Sequence, residues 1–455
     1  MSGISTAARA ALDDITAPFQ LSDTKLVEIT NSFVEEFNAG LREFNRPVAM
    51  VPTYVTHVPD GSEAGTFLSI DIIWRSLRIS EITLYGNNKS SRRETVFQIP
   101  NEAFSGTSAG YFDQVAISVD SFLNEHGIRP APQTPIGFSF PFTVQRTNIN
   151  RATLVTWGKG LNLRDGPGLE VNELLEAAFV RRGLDLKCGA IVNDTVTVLL
   201  SESYGHPAQN CYMSAIFGVG TNVAYVEDTA KITKLGRQTS ARMIVNTELG
   251  GYSNRNILPL TDIDYSMDED SREPGIELYE KLISWIFLGE LVRRILVSIE
   301  QKSPSALSIG TTSGIQDAGS FNSRCLPLLD AANSPGEIRK VLADHGIALN
   351  IIRDEDAEIV RSVSQLVSNR AIRLCACAIA ALVTQAGYAR DRTDPIVVSF
   401  TGEMVVFYPQ FEDVLRNGLR GILGQNVERR IVFLNADDPE PIGAALGVYE
   451  ATQRG

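Results

Sequence analysis

Between residues 67 and 79 the chain reads Phe-Leu-Ser-Ile-Asp-Ile-Ile-Trp-Arg-Ser-Leu-Arg-Ile, an apolar run broken early by one aspartate, Asp71. A strand ending on an aspartate often feeds a tight turn at a ligand. A turn that cradles phosphate needs glycine, so that backbone N–H groups can approach the oxygens. Here the turn positions hold Ile73, Trp74, Arg75 and Ser76. The strand end is shaped for a phosphate loop, yet it is filled with bulk. A second polar break falls at Asn193-Asp194, inside an apolar run. A third signal is Gly218-Val219-Gly220, a turn between two strand-like segments. Metal chemistry finds less support. Cys375-Ala-Cys377 lies in an Ala/Ile/Leu run and reads as packing, because a zinc site needs more ligands. His57, His126, His206 and His345 are scattered, and no metal-spaced pair of histidines is seen, so no metal site is expected.

The elements that must position these residues follow from periodicity. Leu26, Ile29, Phe33, Phe37, Leu41 and Phe44 form one stripe of a helix over 22–44, capped by Ser22 or Asp23. Residues 66–85 read as two strands and 86–94 as a polar turn. A helix follows around 115–126, then a strand at Thr134–Pro141 and a helix at 172–182. The run from 189 is a strand that breaks at Asn193-Asp194 and resumes as a possibly helical segment. Residues 213–227 read as a hairpin turning at 218–220, and 241–249 as a further strand. Long helices are expected over 275–302, 336–345 and 355–386. Residues 396–406 read as a hairpin, and 443–452 as a terminal helix. Strand groups interleaved with helices, in two clusters, predict an α/β protein with two lobes.

With 455 residues the chain can build two or more domains and ample core. Its formal net charge of -13 argues against nucleic-acid backbones and anionic membranes as partners. Five cysteines fit a reducing compartment without a disulfide framework. The N-terminus lacks a secretion pattern, and the most apolar stretch, Leu374 to Val383, is too short to span a bilayer. A cytoplasmic location is expected, with nuclear entry left open.

The blocks Ile-Gly-Phe-Ser-Phe-Pro at 136–141, Trp-Gly-Lys-Gly at 157–160, Val-Asn-Asp-Thr-Val at 192–196, Phe-Gly-Val-Gly-Thr-Asn at 217–222, Val-Asn-Thr-Glu-Leu-Gly-Gly at 245–251 and the long run at 273–296 occur in the order and spacing of the eukaryotic hexokinase family. The resemblance spans nearly the whole chain, and its style is that of atypical fungal members with roles in carbon-source or starvation signalling. It implies the two-lobed actin-like ATPase fold, with a sugar cleft between a small and a large lobe. The implied division is 1–64 in the large lobe, 65–193 as the small lobe, 194–440 as the large lobe, and 441–455 returning to the small lobe. The family's sugar contacts fall on Ser139, Lys159, Asn193, Asp194, Asn222, Glu248 and Glu280, all of suitable type. Asp194 corresponds to the base that takes the proton from the sugar's 6-hydroxyl. There are departures. Gly158 replaces a threonine, Glu277 a glutamine and Leu249 a tryptophan, and the loop after Pro141 is longer than usual, so specificity is expected to shift.

The nucleotide side departs further. The family's first phosphate loop, D-L-G-G-T-N-x-R, keeps Asp71 and Arg78 and loses both glycines and the threonine. Its second, G-T-G, keeps Gly218 and Gly220 around Val219. D-G-S becomes Thr401-Gly402-Glu403, and D-G-S-G becomes Asp438-Pro439-Glu440-Pro441. Carboxylates replace serines where an anion would lie, which repels it. The resemblance therefore implies a hexose-binding protein with lost or very weak phosphotransfer, reporting sugar to a regulatory protein partner. The alternative is an active hexose or amino-sugar kinase using Mg-ATP, with Arg75 and Arg78 contacting phosphate. A protein with no ligand fits poorly with so complete a set of sugar contacts.

Overall fold

The computed structural model describes residues 6–73, 75–158, 161, 163–236, 238–303, 307, 315–346, 352–390 and 393–453. Its strands are β1 (Val51–Pro52), β2 (Ala64–Ile73), β3 (Ser76–Tyr85), β4 (Ser90–Gln98), β5 (Thr134–Ser139), β6 (Val144–Asn148), β7 (Arg151–Leu154), β8 (Leu186–Val192), β9 (Met213–Phe217), β10 (Thr221–Asp228), β11 (Arg242–Asn246), β12 (Ile396–Thr401) and β13 (Ile431–Asn435). One sheet has the order β4-β3-β2-β5-β8, and the other β1-β11-β10-β9-β12-β13. Both follow one plan. In each, three antiparallel strands continue into two parallel ones, as β4-β3-β2 joins β5 and β8, and β11-β10-β9 joins β12 and β13.

The first sheet and its helices enclose one apolar core, and the second encloses a larger one. A third, smaller cluster lies between them and includes Val192, Leu199, Ile244 and Leu446. Two helices bridge the halves. Asp194–Gly205 packs on β9 and β10, and Glu440–Gln453 packs on it and on β2, β5 and β8. The fold is thus the two-lobed actin-like ATPase architecture, with the C-terminal helix seated on the smaller sheet.

The helix Asp23–Arg42 buries Leu26, Ile29, Phe33, Phe37 and Leu41, and Ser22 Oγ caps it by accepting from Lys25 N–H at 3.2 Å. Phe44 lies beyond its end and is exposed. Four other expectations change. Residues 86–94 are not simply a turn, because β4 begins at Ser90 and pairs along β3. The helix around 115–126 begins earlier and spans Ser108–Glu125, with Thr107 as its cap. The expected helix over 275–302 is two helices, Leu278–Ile283 and Trp285–Lys302. The second strand of the expected hairpin at 396–406 is a short helix, Glu403–Phe407. The helix Asp354–Gln385 is long and apolar enough to cross a membrane, but it is buried in the larger core.

Candidate functional site: a sugar cleft beside an acid-filled nucleotide cavity

Where β8 ends, Asn193 caps the helix Asp194–Gly205, its side-chain oxygen accepting from Thr195 N–H at 2.9 Å. The capping turn presents Asp194 at the helix N-terminus, where the backbone dipoles favour a carboxylate. The polar break in the apolar run is therefore a strand-to-helix junction opening into a cleft. Asn193, Asp194, Asn222, Glu248 and Glu280 all line one cavity of about 470 Å³.

A continuous network fixes these side chains. Asn222 Nδ2 donates to Asn246 Oδ1 at 2.6 Å and approaches Asn193 Oδ1 at 3.4 Å. Asn222 Oδ1 accepts from Glu248 N–H at 3.0 Å, and Asn246 Nδ2 donates to Glu248 Oε1 at 2.7 Å. Glu248 has a left-handed backbone with φ of 57°, a conformation rare for a residue with a side chain. Its carboxylate is also approached by Thr143 Oγ1 across the cleft at 3.4 Å. Beside this network Glu280 Oε2 accepts from Thr221 N–H at 2.9 Å. Asn246, Thr143, Arg272 and Glu273 were not singled out in the sequence. Asn246 lies inside the 245–251 block, which was the available signal.

The break between the two helices at Ser284 serves the glycine turn. Ser284 takes an extended backbone, its Oγ donates to Val219 O at 2.6 Å, and Trp285 N–H donates to Gly218 O at 2.8 Å. Val219 and Gly220 line both the sugar cavity and a neighbouring cavity of about 720 Å³, and Asp194 lies at their junction. Gly218 backs the turn.

This second cavity is acidic. Glu403 Oε2 accepts from Val219 N–H at 3.0 Å, and a Cβ on Gly218 would collide with the same carboxylate. Gly402 makes this possible with φ of 114°, its Cα packed against the Phe217 carbonyl. An internal carboxylate thus occupies the N–H of the glycine turn. Asp71 and Arg78, cross-strand partners in β2 and β3, pair at 2.7 Å. Arg78 also pairs with Asp438, and with Glu440 at 3.5 Å. Burial, followed by the nearby Asp71 carboxylate, pushes the Glu440 carboxyl up to about 8. Arg75 turns away. It stacks 4.3 Å from the Phe104 ring centroid and donates to Asn101 Oδ1 at 2.5 Å. Trp74 lies outside the described residues.

A family model described as hexokinase matches residues 11–204, and a second matches 212–449. The glucokinase of Aspergillus niger is 31% identical over 96% of each chain, and the hexokinase of Schistosoma mansoni 33% identical over 97% of each. The chain belongs to the hexokinase family. A solved structure of the Schistosoma mansoni hexokinase complexed with glucose has a TM-score of 0.88 at 31% identity, covering 98% of this chain and 99% of that one.

Two of the hexokinase contact positions stand apart from these five. Ser139 is fully buried at the end of β5, in register with Asp71 of the parallel strand β2, and is not among the residues lining this cavity. Lys159 lies outside the described residues. His57, Asp60 and Glu63 bring ligand-type atoms within 4.8 Å of one another. The Glu63 carboxylate there is already occupied by the N–H groups of Asp60 and Gly61, each at 3.0 Å. All five cysteines are buried free thiols.

Proposed function

We propose that this chain binds a hexose in the cleft through Asn193, Asp194, Asn222, Glu248 and Glu280, and that its own carboxylates obstruct the nucleotide half. The observation that carries the reading is Glu403 on Val219 N–H, with Gly218 closed against it. Mg-ATP does not fit these residues as they stand. The loop N–H is taken, Arg78 is paired with Asp71 and Asp438, and the carboxylates lining the cavity outnumber its two arginines, Arg78 and Arg324. The protein then acts as a sugar-responsive regulator in carbon-source sensing, with cleft closure on the sugar reported to a protein partner. Its unpaired thiols suit a cytoplasmic setting. A second reading, residual hexose phosphorylation with Asp194 as base, draws on the place of Asp194 at the junction of both cavities.

Thermal unfolding with and without hexose tests the sugar half, since a ligand that binds only the folded state raises the melting temperature. Glucose or a related hexose should stabilise the wild type, and Glu248→Ala should remove that shift. No shift with any hexose at ~tens of millimolar, a range in which even weak ligands stabilise a fold, would overturn the reading. A coupled phosphorylation assay on the same samples separates the second reading.

A further inference from the structure

Glu277 lines the sugar cavity immediately before the helix Leu278–Ile283, three residues ahead of Glu280. Its backbone is left-handed, with φ of 53°, so the local chain holds the side chain on the wall at a cost in strain. Among the described residues no hydrogen bond or ion pair reaches its carboxylate. The nearest cation in sequence, Lys281, is spent elsewhere: its Nζ donates to Asp268 Oδ1 at 2.7 Å, Ser271 Oγ at 2.9 Å and Glu273 O at 2.7 Å. Burial first, and the neighbouring Glu273 second, raise the Glu277 carboxyl above the ordinary range. Glu248, Glu273 and Glu280 share the same cavity. A half-buried carboxylate with no hydrogen-bonded cation among the described residues, in a cavity where three further glutamates outnumber the one arginine, Arg272, gains more from a ligand ammonium than from a hydroxyl, because charge-assisted hydrogen bonds are the stronger kind.

We infer that the cleft selects a hexose bearing an ammonium group, with Glu277 as its anionic partner. The inference rests on the reading of this cavity as a hexose site, and names the class of sugar it takes. A hydroxyl at the same place hydrogen-bonds to the carboxylate but leaves the local charge uncompensated. An acetylated amine keeps the nitrogen and removes the charge, so it isolates the electrostatic part.

Titration calorimetry at neutral pH with D-glucose, D-glucosamine and N-acetyl-D-glucosamine tests this. Glucosamine should bind the wild type about tenfold or more tightly than glucose, the scale expected of a hydrogen bond between charged groups. The acetylated sugar should lose that advantage. In Glu277→Gln the ratio of glucosamine to glucose affinity should fall towards one. Should that variant fail to fold, the wild-type ratio still decides, because it must shrink as salt is raised. Equal wild-type affinity for the two sugars would overturn the inference and leave the hexose reading standing. So would a preference that persists in Glu277→Gln. Absence of binding by all three sugars would remove both.

Discussion

Arg78 illustrates how single residues redirect this site. In an open nucleotide pocket a buried guanidinium would meet phosphate. Here it meets Asp71, Asp438 and Glu440. Burial raises the Asp71 carboxyl, and it pushes the Glu440 carboxyl up to about 8 against an ordinary 4.5. A folded-state value above the unfolded one means that the folded protein binds the extra proton between the two. The associated stability is fully present below about pH 4.5 and is lost as pH rises through about 8. Glu440→Gln, neutral at every pH, should therefore flatten the fall in melting temperature between about pH 5 and about pH 9. Melts across that range check it, and parallel curves for variant and wild type would count against a raised Glu440. The acid substitutions were legible in the sequence. Their arrangement was not, because Glu403 meets Val219 across 184 residues and Asp438 meets Arg78 across 360. Sequence reading expected repulsion of an anion. The structure adds that Glu403 accepts from Val219 N–H and that Asp71 and Asp438 pair with Arg78.

Among the elements, the helices Asp194–Gly205 and Glu440–Gln453 set the position of the cleft floor. They touch at Gly443, where a Cβ would collide with the Thr197 backbone. Gly443→Ala should force them apart and cost about 1–3 kcal/mol, the usual penalty for overfilling a packed contact. Urea unfolding measures it, and an unchanged midpoint would show that the contact relaxes freely. Strands and helices with clear periodicity, such as β2, β3, β9, β10 and Asp23–Arg42, were readable from composition alone. The failures fall at the site. The expected helix over 275–302 breaks because Ser284 leaves helical geometry to bond Val219 O. The expected hairpin fails because Gly402 ends β12 and the Val-rich stretch after it turns into a helix led by Glu403. Short Val-rich runs satisfy either pattern, and tertiary contacts decide between them.

The whole molecule repeats one sheet plan twice and places its two cavities where the halves meet, with Asp194, Ile216, Val219, Gly220 and Ile286 common to both. The asparagine and glutamate side chains form a continuous network in one cavity, and Glu403 holds the Val219 N–H beside the other. The central claim is therefore a separation of the two halves of a hexokinase cleft. Calorimetric titration of Mg-ATP into the hexose-saturated protein tests it most directly, with a Glu403→Ser, Glu440→Ser double variant alongside. The account predicts no measurable binding by the wild type at ~millimolar nucleotide, and measurable binding once both carboxylates are removed from the cavity. Wild-type binding at ~millimolar or tighter would contradict it.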